Sequence, residues 1–328
     1  MEILGIEDNA LRRAGECIAA GGLVAFPTET VYGLGADAFD SRAVARIFEA
    51  KARPSFDPLI VHVSSMDEVA RVADASGHKA RALMRALWPG PLTLVLPKRE
   101  EVPDIVTSGL GTVAIRLPAN SVARAIIAYS GTAVAAPSAN PFGYLSPTLA
   151  EHVARGLGGK VDLIVDGGPC AVGVESTVLD MTVDPPRILR PGGMTIEAIE
   201  AVIGSIGARA AADSLPIASP GLLESHYAPR TPLYLIDAGT IGSAKPRGRA
   251  AAVILGAASG DGLKAGTGRF ALVRCLSPTG DLVEAAAGLF AALHELDAGG
   301  YDEIWAELAP DRGLGAAIND RLLKASKK

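Results

Sequence analysis

The sequence predicts an α/β protein with a mixed β-sheet, followed by a second, smaller α/β unit. Three observations carry this. Short apolar runs of strand character alternate with segments of helical spacing. Several neighbouring runs have no helical segment between them, which parallel neighbours would require. From residue 204 the chain turns to Ala, Gly, Ser and Pro without a long period, and the alternation resumes near residue 232.

Each element has a local reason. Residues 9–20 have helical spacing, with Asp8 or Asn9 as N-cap and Gly21-Gly22 as the stop. LVAF (23–26) is a strand halted by Pro27. SRAVARIFEAKA (41–52) is a helix with Ser41 as cap and Pro54 forcing its end. LIVHV (59–63), LTLVL (92–96), VAIRL (113–117), AVAA (133–136), DLIVD (162–166), STVLD (176–180) and RILR (187–190) are strand-like. Helices at 77–87, 121–129, 148–157 and 195–203 interleave with some of them. Later strands are expected at 232–237, 251–256, 269–276 and 303–308, and helices at 281–297 and 315–326. The division expected is a first domain over 1–205, a linker over 206–231 and a second domain over 232–328. No internal repeat is apparent.

Composition narrows the function. Of 328 residues, 49% are hydrophobic and 20% charged, enough to bury a core. The net charge of −5 denies the chain the broad positive field of a non-specific nucleic-acid binder. Any anion must be met by a few focused cations. Cys17, Cys170 and Cys275 lie far apart without CxxC spacing, which argues against a zinc cluster or disulfide framework. No run approaches 18 apolar residues, and MEILGIEDNALRRAGE lacks the pattern of a signal peptide. The expectation is a soluble cytoplasmic protein.

There is no GxxxxGK[ST], GxSxG or HExxH motif. Residues 33–38 fit GxGxxA formally, but behind a polar loop, where Gly33 and Gly35 would supply unusual backbone angles to a turn. PTETVYGLG (27–35) sets Thr28, Glu29, Thr30 and Tyr32 directly after a strand, where open α/β sheets face their ligand crevice. Threonines capping their own turns account for it equally well. Lys51 and Arg53, in KARPSFDPL, either complement a helix end or form a phosphate clamp on a loop stiffened by Pro54 and Pro58 and expected to be exposed. His62 lies opposite Leu59, Val61 and Val63. Arg116 lies opposite Val113, Ile115 and Leu117, and is suited to a structural ion pair or to a ligand carboxylate. Ser138 and Asn140 follow a short strand, where hydrogen bonding fits Ser138 better than nucleophilic attack. Ser176 and Arg190 stand at the ends of a hairpin-like pair. Hydroxyls, one amide and several cations at strand ends suit a small anionic ligand carrying phosphate and carboxylate.

PTETVYGLG, KARPSFDPLIVHV, WPGPLTLVL, VAIRLP, APSANPFGYLSPT, GVESTV and ILRPGG stand in the order seen in YrdC/TsaC-type L-threonylcarbamoyladenylate synthases, which the chain resembles over nearly its whole length. The second domain and the SPG…HYAP linker resemble the family's long, two-domain form. The resemblance implies a twisted mixed sheet followed by a Rossmann-like domain. It implies conversion of L-threonine, bicarbonate or CO2, and ATP to L-threonylcarbamoyladenylate and pyrophosphate, with Mg²⁺. The product would feed tRNA threonylcarbamoyladenosine formation by a separate transferase complex, with little direct tRNA binding by this chain. The family's KxR…SxN tetrad falls on Lys51, Arg53, Ser138 and Asn140, as ATP contacts and, for the two cations, catalytic groups. Threonine-binding positions fall on Thr28, His62, Arg116 and Ser176, with Tyr32 as a further pocket residue. Arg190 and Tyr227 correspond to nucleotide contacts and His226 to a linker residue. The linker departs from the family pattern at Leu222–Ser225, which replace a Met and a basic-aromatic segment. Carbamate formation needs an uncharged threonine amine, and no residue is singled out as its base. Two alternatives stay open. One is a non-catalytic RNA-binding module, disfavoured by the charge. The other is a carbamoyl-transfer enzyme of the same fold, which would need a zinc-finger or acylphosphatase-like segment.

Overall fold

The computed structural model describes residues 1–207, 226–256 and 268–327. Two compact units result. The first comprises residues 1–142, 147–171 and 175–207; the second comprises 143–146, 172–174, 226–256 and 268–327.

In the first unit, ten strands form one sheet: β1 (Glu2–Leu4), β2 (Val24–Phe26), β3 (Gly33–Asp37), β4 (Ile60–His62), β5 (Leu92–Pro97), β6 (Thr112–Arg116), β7 (Val134–Ala135), β8 (Leu163–Val165), β9 (Thr177–Asp180) and β10 (Arg187–Arg190). Their order is β1-β8-β2-β3-β7-β4-β6-β5-β9-β10. The sheet is mixed, as expected: β4 and β6 run parallel, while β2/β3, β5/β6 and β9/β10 are antiparallel. The principal helices are α1 (Asp8–Ala19), α2 (Ser41–Lys51), α3 (Val69–Val72), α4 (His78–Leu87), α5 (Asp104–Thr107), α6 (Ser121–Ser130), α7 (Ala150–Gly156) and α8 (Ile196–Ile203).

Strand alternation sorts the side chains. Leu59, Val61, Val63, Val113, Ile115 and Leu117 point into the main core with Val44, Ile47 and Leu83. On the opposite face, Val24, Phe26, Val134, Leu163 and Val165 pack with α1 and α6. Further along that second face lies a small cluster of Ile60, Val95, Ala114, Val178 and Leu189. His62 and Arg116 share this face and are direct neighbours in the β4/β6 register.

Several local expectations are corrected. The N-cap of α2 is Asp40, not Ser41; its carboxylate accepts the Arg42 N–H at 2.8 Å. The helix stops at Lys51, before Pro54 can act, through a left-handed Ala52 with φ 52°. Helix α1 is preceded by Glu7, which makes no side-chain cap. Gly33–Asp37 is a strand rather than a turn, and neither glycine has positive φ. Gly35 answers close approach instead: a Cβ there would lie 2.5 Å from the Phe26 ring and 2.8 Å from Val134. The segment bearing Lys51 and Arg53 is also not exposed at those residues. Lys51 is 1% and Arg53 7% exposed, because both side chains fold back onto backbone carbonyls. The exposed tip is Ser55-Phe56.

The second unit holds four parallel strands in the order β11-β14-β12-β13: β11 (Leu233–Ile236), β12 (Ala250–Ile254), β13 (Leu272–Cys275) and β14 (Glu303–Glu307). Helices α9 (Leu282–Ala298) and α10 (Gly315–Ala325) accompany them. Two short pieces from earlier in the chain pack here. Tyr144 Oη donates to Asp297 Oδ2 at 2.6 Å, and His294 Nε2 meets the Ser146 carbonyl at 3.1 Å. Gly173, at φ 74°, lies so close to α9 that a Cβ would come within 2.4 Å of the Ala286 oxygen. Residues 208–225, which include the divergent Leu222–Ser225, lie outside the described residues. Among the described residues, no helix is long and apolar enough to cross a membrane.

Candidate active site

The β2–β3 connection is the hub of the site. Thr28 Oγ1 donates to the Val31 carbonyl at 2.7 Å and accepts the Thr30 and Val31 N–H groups, so this threonine caps its own turn. It also lies 2.8 Å from Thr30 Oγ1. Thr30 Oγ1 in turn accepts from Arg116 Nη1 at 3.0 Å. Arg116 Nε donates to the Gly90 carbonyl at 3.2 Å, and Nη2 stands 2.8 Å from Glu29 Oε1. The Ala119 N–H also reaches Glu29 Oε1, at 3.0 Å. Burial pushes the Glu29 carboxyl up, but Arg116 and that N–H outweigh it and hold it below the usual carboxylate range. Burial, with Arg116 beside it, drives His62 down to about 3, so the ring is neutral at physiological pH. Cys170 lies in the same electrostatic neighbourhood, and burial pushes its thiol up to about 12.

A second arc carries the cations. Lys51 Nζ donates to the Ser138 carbonyl and, at 2.5 Å, to the Asn140 carbonyl. Burial, reinforced by Arg53, pulls the Lys51 ammonium well below its usual range. Arg53 donates to the carbonyls of Asp57 at 3.0 Å and Pro58 at 2.9 Å, and pairs with the Asp57 carboxylate at 2.9 Å. Burial raises Asp57 although Arg53, Lys51 and Arg190 all oppose it. Arg190 Nη2 reaches the Ser176 carbonyl at 2.8 Å and Oγ at 3.2 Å, and Ser176 Oγ also lies 2.7 Å from Thr93 Oγ1.

The two arcs join through the backbone. The Tyr32 carbonyl accepts from Ala139 N–H at 2.8 Å, and Gly33 bridges Ser138, so the hub touches the Ser138–Asn140 segment. At the other end, the Thr177 N–H bonds the Pro91 carbonyl at 3.0 Å, beside the Gly90 that holds Arg116. Thr28, Tyr32, Lys51, Arg53, His62, Arg116, Ser138, Asn140, Ser176 and Arg190 thus form one connected constellation in the first unit. Tyr32 is wholly buried; its hydroxyl donates to the Gly168 carbonyl at 2.8 Å, and burial, with Asp166 beside it, raises its pKa. His226 and Tyr227 belong to the second unit. There Tyr227, at φ 62°, lies edge-on to His226 at 4.1 Å and under the Arg321 guanidinium at 4.9 Å.

Sequence reasoning groups Glu29 with the hydroxyls of its segment but gives it no role of its own, and it does not single out Asp57. The available signals were Glu29 as the one carboxylate in a hydroxyl-rich segment and the four-residue spacing from Arg53 to Asp57. Among the described residues, no group of three or more His, Cys, Asp or Glu could hold a metal ion.

The comparisons with known proteins cover both units. The family profile of Sua5, YciO and YrdC proteins, described as telomere recombination, matches residues 16–192. The profile of the threonylcarbamoyl-AMP synthase C-terminal domain matches 194–327. The chain is 43% identical to the threonylcarbamoyl-AMP synthase of Pyrococcus abyssi, over 98% of this chain and 95% of that protein. It is 44% identical to the Bacillus subtilis enzyme of the same name, over 98% and 94%. The crystal structure of P. abyssi Sua5 complexed with L-threonine superposes with a TM-score of 0.90 at 42% identity, covering 99% of this chain and 98% of that one. With both profiles matched and identity sustained across nearly its full length, the chain belongs to the Sua5–YciO–YrdC family, in the two-domain form that carries the threonylcarbamoyl-AMP synthase C-terminal domain.

Proposed function

We propose that this protein is an L-threonylcarbamoyladenylate synthase, converting L-threonine, bicarbonate or CO2, and ATP to L-threonylcarbamoyladenylate and pyrophosphate. The observation that carries this is the connected pair of arcs: one buried arginine suited to a carboxylate, and three buried cations suited to a polyphosphate, in a member of this family. Arg116 receives the threonine carboxylate through its remaining N–H groups. Thr28, Tyr32, neutral His62 and Ser176 line the amino acid. The threonine amine, having lost one proton to solvent, attacks the carbon of CO2, and the new carbamate sheds a second proton to solvent. The carbamate oxygen then attacks the α-phosphorus of ATP, and pyrophosphate leaves.

Lys51, Arg53 and Arg190 meet the charge that develops on the departing phosphates. Their arrangement is set before substrate arrives, because backbone carbonyls hold Lys51 and Asp57 holds Arg53. An incoming polyphosphate adds negative charge beside Lys51, beyond that of Asp57 and Glu175, and so returns its pKa toward the charged form. Ser138 and Asn140 flank the adenylate. Magnesium bound to the ATP phosphates would supply further neutralising charge beside Lys51, Arg53 and Arg190. The family resemblance supports nucleotide binding by Tyr227 and a linker role for His226. We place the protein in the cytoplasm, upstream of a tRNA threonylcarbamoyl-transferase complex.

Purified full-length protein should release pyrophosphate only when L-threonine, bicarbonate and ATP are all present. No threonine-dependent release would overturn the reading. Lys51→Met, which keeps the buried stem and removes the ammonium, should lower that rate at least 100-fold while the melting temperature holds or rises. A rate within threefold of wild type would refute the role given to Lys51.

A further inference from the structure

Oε2 of Glu29, Nη2 of Arg116 and Nδ1 of His62 are buried and make no hydrogen bond. Most buried polar atoms in folded proteins are satisfied, because an unpaired one keeps its desolvation penalty. These three belong to direct neighbours. Arg116 and His62 are paired across β6 and β4, and Arg116 is ion-paired with Glu29 at 2.8 Å. The Glu29–Arg116 contact, at 2.8 Å, uses Oε1, the oxygen that also accepts the Ala119 N–H. Glu29 is therefore fixed by one oxygen while the other has no partner. Thr30 and Gly90 similarly fix Arg116 by Nη1 and Nε.

A buried carboxylate oxygen without a partner, held beside a guanidinium, suits a ligand with a cation and an anion a few bonds apart. The head group of an α-amino acid has that form. We propose that Glu29 Oε2 accepts the substrate's α-ammonium group beside Arg116, which takes the α-carboxylate. The pair thus selects a zwitterion. This rests on the threonine reading above and adds to it the residue that distinguishes an amino acid from a simple carboxylic acid. Glu29 stays ionised at physiological pH and is a poor base, so it binds and orients the amine rather than removing its proton.

The test uses the full chain, with L-threonine and its amine-free counterpart (2S,3R)-2,3-dihydroxybutanoate as probes in calorimetry. Wild type should bind threonine at least tenfold more tightly than the hydroxy acid. In Glu29→Gln, which keeps an acceptor for Ala119 and Arg116, that preference should shrink at least tenfold. The threonine KM for pyrophosphate release should rise by a similar factor, with the ATP KM within about twofold. A Glu29→Gln protein that keeps the wild-type preference, or weakens for both probes equally, overturns the proposal. Should the variant fail to fold, the wild-type comparison still decides: equal affinity for the two probes overturns it. Wild type that shows no threonine-dependent pyrophosphate release refutes the synthase reading itself. An active wild type with an indifferent Glu29→Gln refutes only this inference.

Discussion

Replacing Arg116 with Met isolates the cost of a buried, uncompensated carboxylate. Arg116 is 3% exposed and Glu29 9%. The substitution removes contacts to Gly90 at 3.2 Å, Thr30 at 3.0 Å and Glu29 at 2.8 Å, and leaves Glu29 with the Ala119 N–H. Removing one partner of a buried pair costs about 3–5 kcal/mol, because the other charge remains desolvated. Urea denaturation at pH 7 should show a loss of that size in the transition of the first unit. The double variant Arg116→Met/Glu29→Gln should regain about 2 kcal/mol of it, a coupling typical of residues in direct contact. The pH dependence has a definite sign. Without Arg116, burial, the largest influence on Glu29, is opposed only by backbone N–H groups, and the folded-state pKa should rise above its ordinary 4.5. The deficit should therefore be full above the raised value and should close as pH falls toward the ordinary one, where both states are protonated. A single-variant loss below about 1 kcal/mol, or a double variant no better than the single, would refute the claim that this ion pair is tightly coupled.

Two other perturbations test the fold and the site electrostatics. Gly35→Ala should destabilise the first unit by about 1–3 kcal/mol through overpacking against the wholly buried Phe26 ring, measured by the same titration. An unchanged midpoint would mean that β2 and β3 can separate. His62, with a folded-state pKa of about 3 against 6.5 when exposed, refuses a proton that the unfolded chain accepts. Stability should therefore be lost as pH falls from 6.5 toward 3, at up to about 1.4 kcal/mol per pH unit from this group. His62→Gln should flatten that part of the melting-temperature profile; an identical profile would exclude a buried neutral imidazole.

Much of the site was legible because its residues sit on periodic strands or beside proline and glycine. Alternation alone put His62 and Arg116 opposite their core-facing neighbours, and both share a sheet face. The β3 strand was harder to read, because GLGAD lacks β-branched residues and its two glycines imitate a turn. Its reason for glycine, the Phe26 ring, lies in another strand. Lys51 was expected on an exposed loop because nothing local shows that the carbonyls of Ser138 and Asn140 draw it inward.

By itself, the sequence determined the α/β class, the mixed sheet, the focused cations in an acidic chain and the family resemblance. These depend on periodicity, composition and motif order, which are properties of nearby residues. Only the tertiary structure decided which charges meet. Glu29 and Arg116 are distant in sequence, and so are Thr93 and Ser176, yet the fold brings each pair within ion-pairing or hydrogen-bonding range. Burial then decides what those groups do, since desolvation neutralises His62, and Glu29 stays ionised because Arg116 and the Ala119 N–H outweigh it.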